Sequence, residues 1–151
     1  MGRRTVAELM NPDVVCVRPG MTVKEVEQLL AGRGVSGAPV VDDAGHILGV
    51  VSQSDLVRRR STRVTAGESG RFFTDDEDYR DIASLPIDPS QTPIEEVMHK
   101  DVYSVTRETG VAIAANIMRE RQIHRLLVTD QDTLVGVISS LDLMRVVEEA
   151  C

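Results

Sequence analysis

The residues best equipped for chemistry come in two matching sets. Ser52, Ser54 and Asp55 close the stretch Gly49-Val50-Val51-Ser52-Gln53-Ser54-Asp55, and Ser139 and Asp142 close Gly136-Val137-Ile138-Ser139-Ser140-Leu141-Asp142. In each, a serine is followed three residues on by an aspartate that starts a helical pattern. A serine ahead of an acid in a first helical turn is an N-terminal signature, where backbone N–H groups lack partners and the dipole end is positive. Such an end can take an anion, and a carboxylate beside it can accept hydrogen bonds from sugar hydroxyls. The plainer alternative is that Ser52 and Ser139 only cap helices. Recurrence of the whole stretch favours the binding role.

The elements that must position these residues also recur. A period of about 88 residues relates the two halves. Val6-Ala7-Glu8-Leu9-Met10 matches Ile94-Glu95-Glu96-Val97-Met98, Asp13–Val17 matches Asp101–Val105, and Val40-Val41-Asp42 matches Val128-Thr129-Asp130. In the first unit a short turn, Val6–Met10, leads to a strand at Val14–Val17 and a Pro19-Gly20 turn. Thr22 then caps a helix with Val23, Val26, Leu29 and Leu30 at helical spacing, ended by Gly32 and Gly34. Strands Ala38–Val41 and Ile47–Val51 follow, joined by the Asp42–Gly45 turn, and the helix at Asp55 closes the unit. The second unit predicts strand Val102–Val105, helix Val111–Arg121, strands Leu126–Val128 and Leu134–Ile138, and helix Leu141–Glu149. About 50 residues cannot bury both faces of so small a sheet, so the units are expected to pack together through their sheets into one α+β module. The expected organisation is a first unit over 1–60, an insert over 61–91 and a second unit over 92–151.

Composition narrows the function classes. Apolar residues make up 42% but aromatics only 3%, so Val, Leu, Ile, Ala and Met must build the core. A net charge of −7 opposes nucleic acid and anionic membranes. No apolar run reaches the ~20 residues of a membrane span, and no apolar signal region follows Arg3 and Arg4, so a cytoplasmic protein is expected. Cys16 and Cys151 do not suggest a disulfide framework, and Cys16 reads as a small buried hydrophobe.

The insert differs from its flanks. Ser61–Gln91 carries the acidic run Asp75–Asp78, prolines 86 and 89, and Phe72, Phe73 and Tyr79. It is either a linker or a functional lid, with a short helix expected at Asp78–Ala83. The acidic run lacks the alternating ligands and glycine of a calcium loop, so it reads as solvated linker rather than a cation site. Arg58 either faces the motif or belongs with Arg59 and Arg60 to a solvated helix end. His46, His99 and His124 lie in separate contexts, Cys16 has no evident base, and neither a P-loop nor metal-ligand spacing occurs, so neither an enzyme nor a metal site is expected.

With Met10 and Met98 before the first strands, Gly34–Asp42, Gln122–Val128 and the doubled Gly-apolar-apolar-Ser-x-x-Asp motif, the chain resembles a tandem pair of CBS (cystathionine β-synthase) domains. The resemblance covers everything except the insert. It implies two pseudosymmetric β-α-β-β-α units whose paired sheets create two clefts for adenosine-containing ligands. AMP, ADP or ATP leads, S-adenosylmethionine or NAD follows, and no cofactor is required. One cleft would combine Ser52, Ser54 and Asp55 with Met98, Tyr103, Ile123, His124, Arg125 and Leu127. Asp55 would accept from the ribose hydroxyls while His124 and Arg125 face phosphates. The other would combine Ser139 and Asp142 with Met10, Val15, Val35, Ser36, Gly37 and Pro39. The charge at His124 and Arg125 favours phosphorylated ligands in the first. For His124 itself, a surface or core position is the alternative to a phosphate contact. The resemblance further implies a homodimer through the helices and regulation of an unidentified protein target. A scaffold that kept the fold and lost the ligand is the alternative.

Overall fold

The computed structural model of the chain describes residues 4–59, 63–65, 81–83 and 87–150. The elements of the first half are α1 (Val6–Leu9), α2 (Val23–Arg33), β1 (Gly37–Val41), β2 (Ile47–Ser52) and α3 (Gln53–Arg59). Two short strands, β3 (Arg63–Thr65) and β4 (Asp81–Ala83), lie within the insert. After a 3-10 turn at Ile94–Glu96 come β5 (Ser104–Thr106), α4 (Val111–Arg121), β6 (Arg125–Asp130), β7 (Thr133–Ser139) and α5 (Ser140–Ala150). The fold is therefore mixed helix and strand with small sheets, and the β-α-β-β-α order is complete in the second half.

Local chemistry explains the boundaries. Thr22 and Glu25 form a reciprocal capping box at the start of α2, with Glu25 N–H donating to Thr22 Oγ1 (3.2 Å) and Thr22 N–H to Glu25 Oε1 (2.9 Å). These bonds from Thr22 hold the Glu25 carboxyl below the usual carboxylate range. At the other end Gly34 takes the left-handed conformation (φ 66°) that stops the helix. Gln122 does the same after α4 (φ 56°) without glycine's freedom.

The expected strand at Val14–Val17 is reduced to a single parallel bridge between Val17 and Val40. Val17 N–H donates to Pro39 O and Val41 N–H to Val17 O, both at 2.9 Å. Extending this ladder backwards needs an N–H at position 39, and extending it forwards needs one at position 19. Both are prolines. In the second half the matching donors exist. Leu127 N–H donates to Tyr103 O (3.1 Å) and Arg107 N–H to Thr129 O (3.0 Å), so β5 forms and completes the three-stranded sheet β5-β6-β7.

Chain contacts divide the protein into two compact units, and these do not follow the sequence repeat. One unit is Val15–Val102; the other joins Met1–Val14 to Tyr103–Cys151. In the first, the segment leading to the second repeat docks onto the first repeat. His99 and Val50 exchange backbone bonds (2.8 and 2.9 Å), and Ile94 N–H donates to Met21 O (2.8 Å). Ile94 and Val97 join Val17, Val23, Val26, Leu30, Ala38, Val40, Val51 and Leu56 in the core. In the second unit the leading segment behaves alike. Asn11 and Val137 exchange backbone bonds (2.8 and 3.0 Å), and Val6 N–H donates to Thr109 O (2.8 Å). Val6, Leu9, Ala114, Leu126, Leu127 and Ile138 are buried there.

Docking of these segments explains the glycine of each motif. A Cβ at Gly49 would lie 2.6 Å from His99 O and 2.8 Å from Met98 Sδ. At Gly136 it would meet Met10 Sδ at 2.7 Å and Asn11 O at 3.0 Å.

The expected helix at Asp78–Ala83 is corrected in its described part. Residues 81–83 form β4, antiparallel to β3 in register Val64↔Ile82. β-branched residues at the paired positions favour extended backbone over helix. Residues 78–80, the aromatics Phe72, Phe73 and Tyr79, the acidic run Asp75–Asp78, the side chains of Arg58–Arg60 and Cys151 lie outside the described residues.

Gly49→Ala should destabilise the fold by about 1–3 kcal/mol through overpacking against a backbone oxygen. Gly136→Ala should cost less, because its nearest neighbour is the end of a flexible methionine. Urea midpoints measure both, and equal midpoint shifts would contradict this ranking.

Candidate functional site

Each motif serine ends a strand and caps the helix that follows. Ser52 is the last residue of β2, so Asp55 stands at the third position of α3, and Asp55 N–H donates to Ser52 Oγ (3.2 Å). The Ser52 hydroxyl in turn donates to Asp55 Oδ2 at 2.7 Å. Both residues are buried, at 3% and 7% exposure, so the carboxylate is held away from bulk water beside designated donors. The Ser36 carbonyl accepts the Gln53 N–H (2.7 Å) and ties the start of α3 to the loop before β1.

The second motif repeats this with one change. Asp142 N–H donates to Ser139 Oγ (3.2 Å), while Asp142 Oδ2 accepts from both the Ser139 hydroxyl (3.0 Å) and the Ser139 N–H (2.8 Å). That is a complete capping box, contained in one turn. Asp142 is half-buried. The His124 carbonyl accepts the Ser140 N–H (2.8 Å), matching Ser36 in the first copy. The capping role and the carboxylate role thus coexist in both copies.

The first predicted set divides between the compact units. Ser52, Ser54, Asp55 and Met98 belong to one, and Tyr103, Ile123, His124, Arg125 and Leu127 to the other. Within the former, Met98 lies against Gly49 and Ser54 is half-buried on α3. Within the latter, Ile123 and Leu127 are buried, Tyr103 and Arg125 half-buried, and His124 exposed. In the second set, Met10 lies against Gly136 in the unit that holds Ser139 and Asp142. Val15, Val35, Ser36, Gly37 and Pro39 belong to the other unit, with Ser36 exposed and Pro39 buried.

Sequence reasoning missed His99. Far from lying in a context of its own, its Nε2 stands 3.4 Å from Asp55 Oδ2, with side-chain exposures of 22% and 8%. The repeat held a faint signal, since His99 follows Met98 as Asn11 follows Met10. The order of contacts is not that of a nucleophilic triad: Ser52 O–H donates to the carboxylate, not to the imidazole. His46 stands apart from this site on the β1–β2 turn, where its backbone N–H holds the Asp42 carboxyl below the usual range. Cys16 is half-buried and burial pushes its thiol up, so it stays protonated at neutral pH. No group of three or more His, Cys, Asp or Glu gathers for a metal among the described residues. Among those residues no helix is long and apolar enough to cross a membrane.

Comparison with known proteins gives a consistent picture. The family model for the CBS domain matches residues 6–62 and again 94–149. The CBS domain-containing protein YhcV of Bacillus subtilis is 27% identical over 139 residues, 92% of this chain and 82% of that protein. The crystal structure of the cytosolic domain of the Mg2+ channel MgtE in complex with ATP aligns with TM-score 0.69 and 27% identity, over 94% of this chain and 48% of that one. That of CBSX2 in complex with AMP aligns with TM-score 0.69 and 24% identity, over 97% of both chains.

The two serines should differ in cost when removed. Ser139→Ala leaves the Asp142 carboxylate its backbone donor and should lose about 1 kcal/mol. Ser52→Ala strips a hydroxyl donor from a buried carboxylate and should lose about 2–3 kcal/mol. Chemical denaturation of both variants checks the order, and a larger loss for Ser139→Ala would contradict it.

Proposed function

Because the chain belongs to the CBS domain family, with two CBS repeats, we propose that it is a regulatory module which binds adenosine-containing ligands at its two serine–aspartate motifs and modulates a partner protein. The observation that carries this reading is Asp55: a buried carboxylate, provided with donors at the head of a helix, beside a histidine. An ionised carboxylate accepts from both hydroxyls of a ribose. AMP, ADP or ATP is the preferred ligand, with S-adenosylmethionine or NAD in second place. The complexes of MgtE with ATP and of CBSX2 with AMP support this choice. In the proposed first site Asp55, Ser52 and Ser54 take the sugar side, Met98, Tyr103, Ile123 and Leu127 the base, and His124 and Arg125 the phosphates. In the second, Ser139 and Asp142 act with Met10, Val15, Val35, Ser36, Gly37 and Pro39, which offer no cation. The first site should therefore prefer phosphorylated ligands.

A scaffold without ligand is the second reading, favoured by one observation. Both serines and both aspartates have a structural reason to be present, as helix caps. Calorimetric titration of ligand-stripped protein with AMP, ADP, ATP, S-adenosylmethionine and NAD separates the two. The sensor reading expects saturable AMP or ATP binding, weakened at least about tenfold by Asp55→Ala, with Asp142→Ala acting on a different site. Absence of heat from all five, with folded protein, would put the scaffold in its place.

The module is also proposed to be a homodimer. α4 and α5 flank an apolar groove of about 800 Å³ lined by Val111, Ile113, Met118, Leu143, Met144 and Val147, among others. Leu141, Ile113, Val147 and Met144 are exposed by 54–78%, a patch that a second copy would cover. Sedimentation should give twice the 16.6 kDa chain mass. Ile113→Asp with Met144→Asp should shift it to monomer, and a monomeric wild type would refute the proposal.

A further inference from the structure

The two motifs match in sequence, yet their carboxylates are held by different means. Asp142 takes both donors to its Oδ2 from Ser139, its own cap. Asp55 has Ser52 on Oδ2 and, 3.4 Å from the same oxygen, the Nε2 of a residue 44 positions away. We infer that His99 is a positioning residue for Asp55, and that it makes the Asp55 site the stronger of the two for a ligand bearing vicinal hydroxyls. This rests on the nucleotide-binding reading and adds to it a residue within the same site.

His99 cannot drift from its place. Its backbone N–H and C=O both bond Val50, at 2.9 and 2.8 Å, one residue beyond the glycine that admits the segment. Asn11 occupies the matching place in the other copy, with the same two bonds to Val137. Its side chain is turned elsewhere: Asn11 Oδ1 accepts the Asp13 N–H at 3.0 Å, and the residue is exposed. A shared backbone frame thus carries an imidazole toward the aspartate in one copy and an amide closing its own turn in the other.

The chemistry follows from burial. A carboxylate in a desolvated place keeps its charge only with donors or a cation beside it. Protonated, it would lose acceptor capacity and turn one oxygen into a donor. His99 Nε2, 3.4 Å from Oδ2, gives the carboxyl group a polar neighbour that limits rotation of its plane, so the acceptor is already oriented when a diol arrives. Asp142 is half-buried, and both donors to its Oδ2 come from its own turn. His99 also sits on the segment that leaves this unit at Val102, so the aim of Asp55 depends on that segment staying docked.

The test is a calorimetric double-mutant cycle with AMP on the full chain, comparing wild type, His99→Leu, Asp55→Ala and the double variant. His99→Leu should weaken the Asp55-dependent site about tenfold and leave the Asp142-dependent site within twofold. In the Asp55→Ala background the same change should alter affinity less than twofold. His99→Gln, which keeps a donor nitrogen on a longer side chain, should recover most of the loss, which a merely structural role would not require. His99→Asn, which installs the residue of the other copy, should behave like His99→Leu and replaces it should that variant not fold. Wild-type affinity in His99→Leu and His99→Asn, or an equal loss with and without Asp55, would overturn the inference while leaving the nucleotide reading intact. A wild type that binds none of the adenosine ligands would overturn both.

Discussion

Close passage of one backbone over another at Gly49 and Gly136 is the constraint on which the rest of the structure depends. Each glycine lets a leading segment lie against a strand at a separation no side chain would permit. That passage allows the two-way bonding of His99 to Val50 and of Asn11 to Val137. It also brings Ile94 and Val97 into the core of the first unit. Without it the two-stranded β1-β2 sheet would lose an edge partner and the hydrophobic cover that this segment gives α2 and β2.

The same passage links architecture to chemistry. The strand that carries the glycine ends three residues beyond it at the capping serine, so the cap, the aspartate and the docked segment are set by one short run of backbone. A capping box is ordinarily a device of stability alone. Here the capping serine stands at the end of a strand, and its hydroxyl also bonds the motif carboxylate. The atoms that cap the helix are therefore the same ones that the proposed ligand site uses.

Much of the fold was legible in the sequence because its signals are local. Helices 23–33 and 111–121 follow from apolar spacing, the Thr22 cap and the stop after Arg33. Both hairpins follow from β-branched runs around short turns. The illegible features depend on partners distant in sequence. Val14–Val17 has the composition of a strand, yet its ladder fails on Pro39 and Pro19, whose missing N–H groups matter only once the pairing is known. Ile82 pairs with Val64 across the insert, a contact no local pattern announces. At the site, Ser52 and Asp55 were legible as a motif, while His99 reaches Asp55 only through the chain crossing at Gly49. The compact units, too, exchange their leading segments relative to the sequence repeat.

Duplication with divergence gives the two motif carboxylates different surroundings within one frame. Asp55 is buried and backed by an imidazole, whereas Asp142 is half-buried and backed by its own cap. A module with two unequal sites can respond to ligand over a wider concentration range than one with two equal sites, provided each ligand prefers one conformation. The central claim is that Asp55 and its cap receive the ligand. Amide and imidazole NMR spectra of the full chain titrated with AMP test it most directly. The account predicts saturable shifts at Ser52, Ser54, Asp55 and the His99 ring, lost in Asp55→Ala. Unmoved signals at all four under saturating AMP would contradict it.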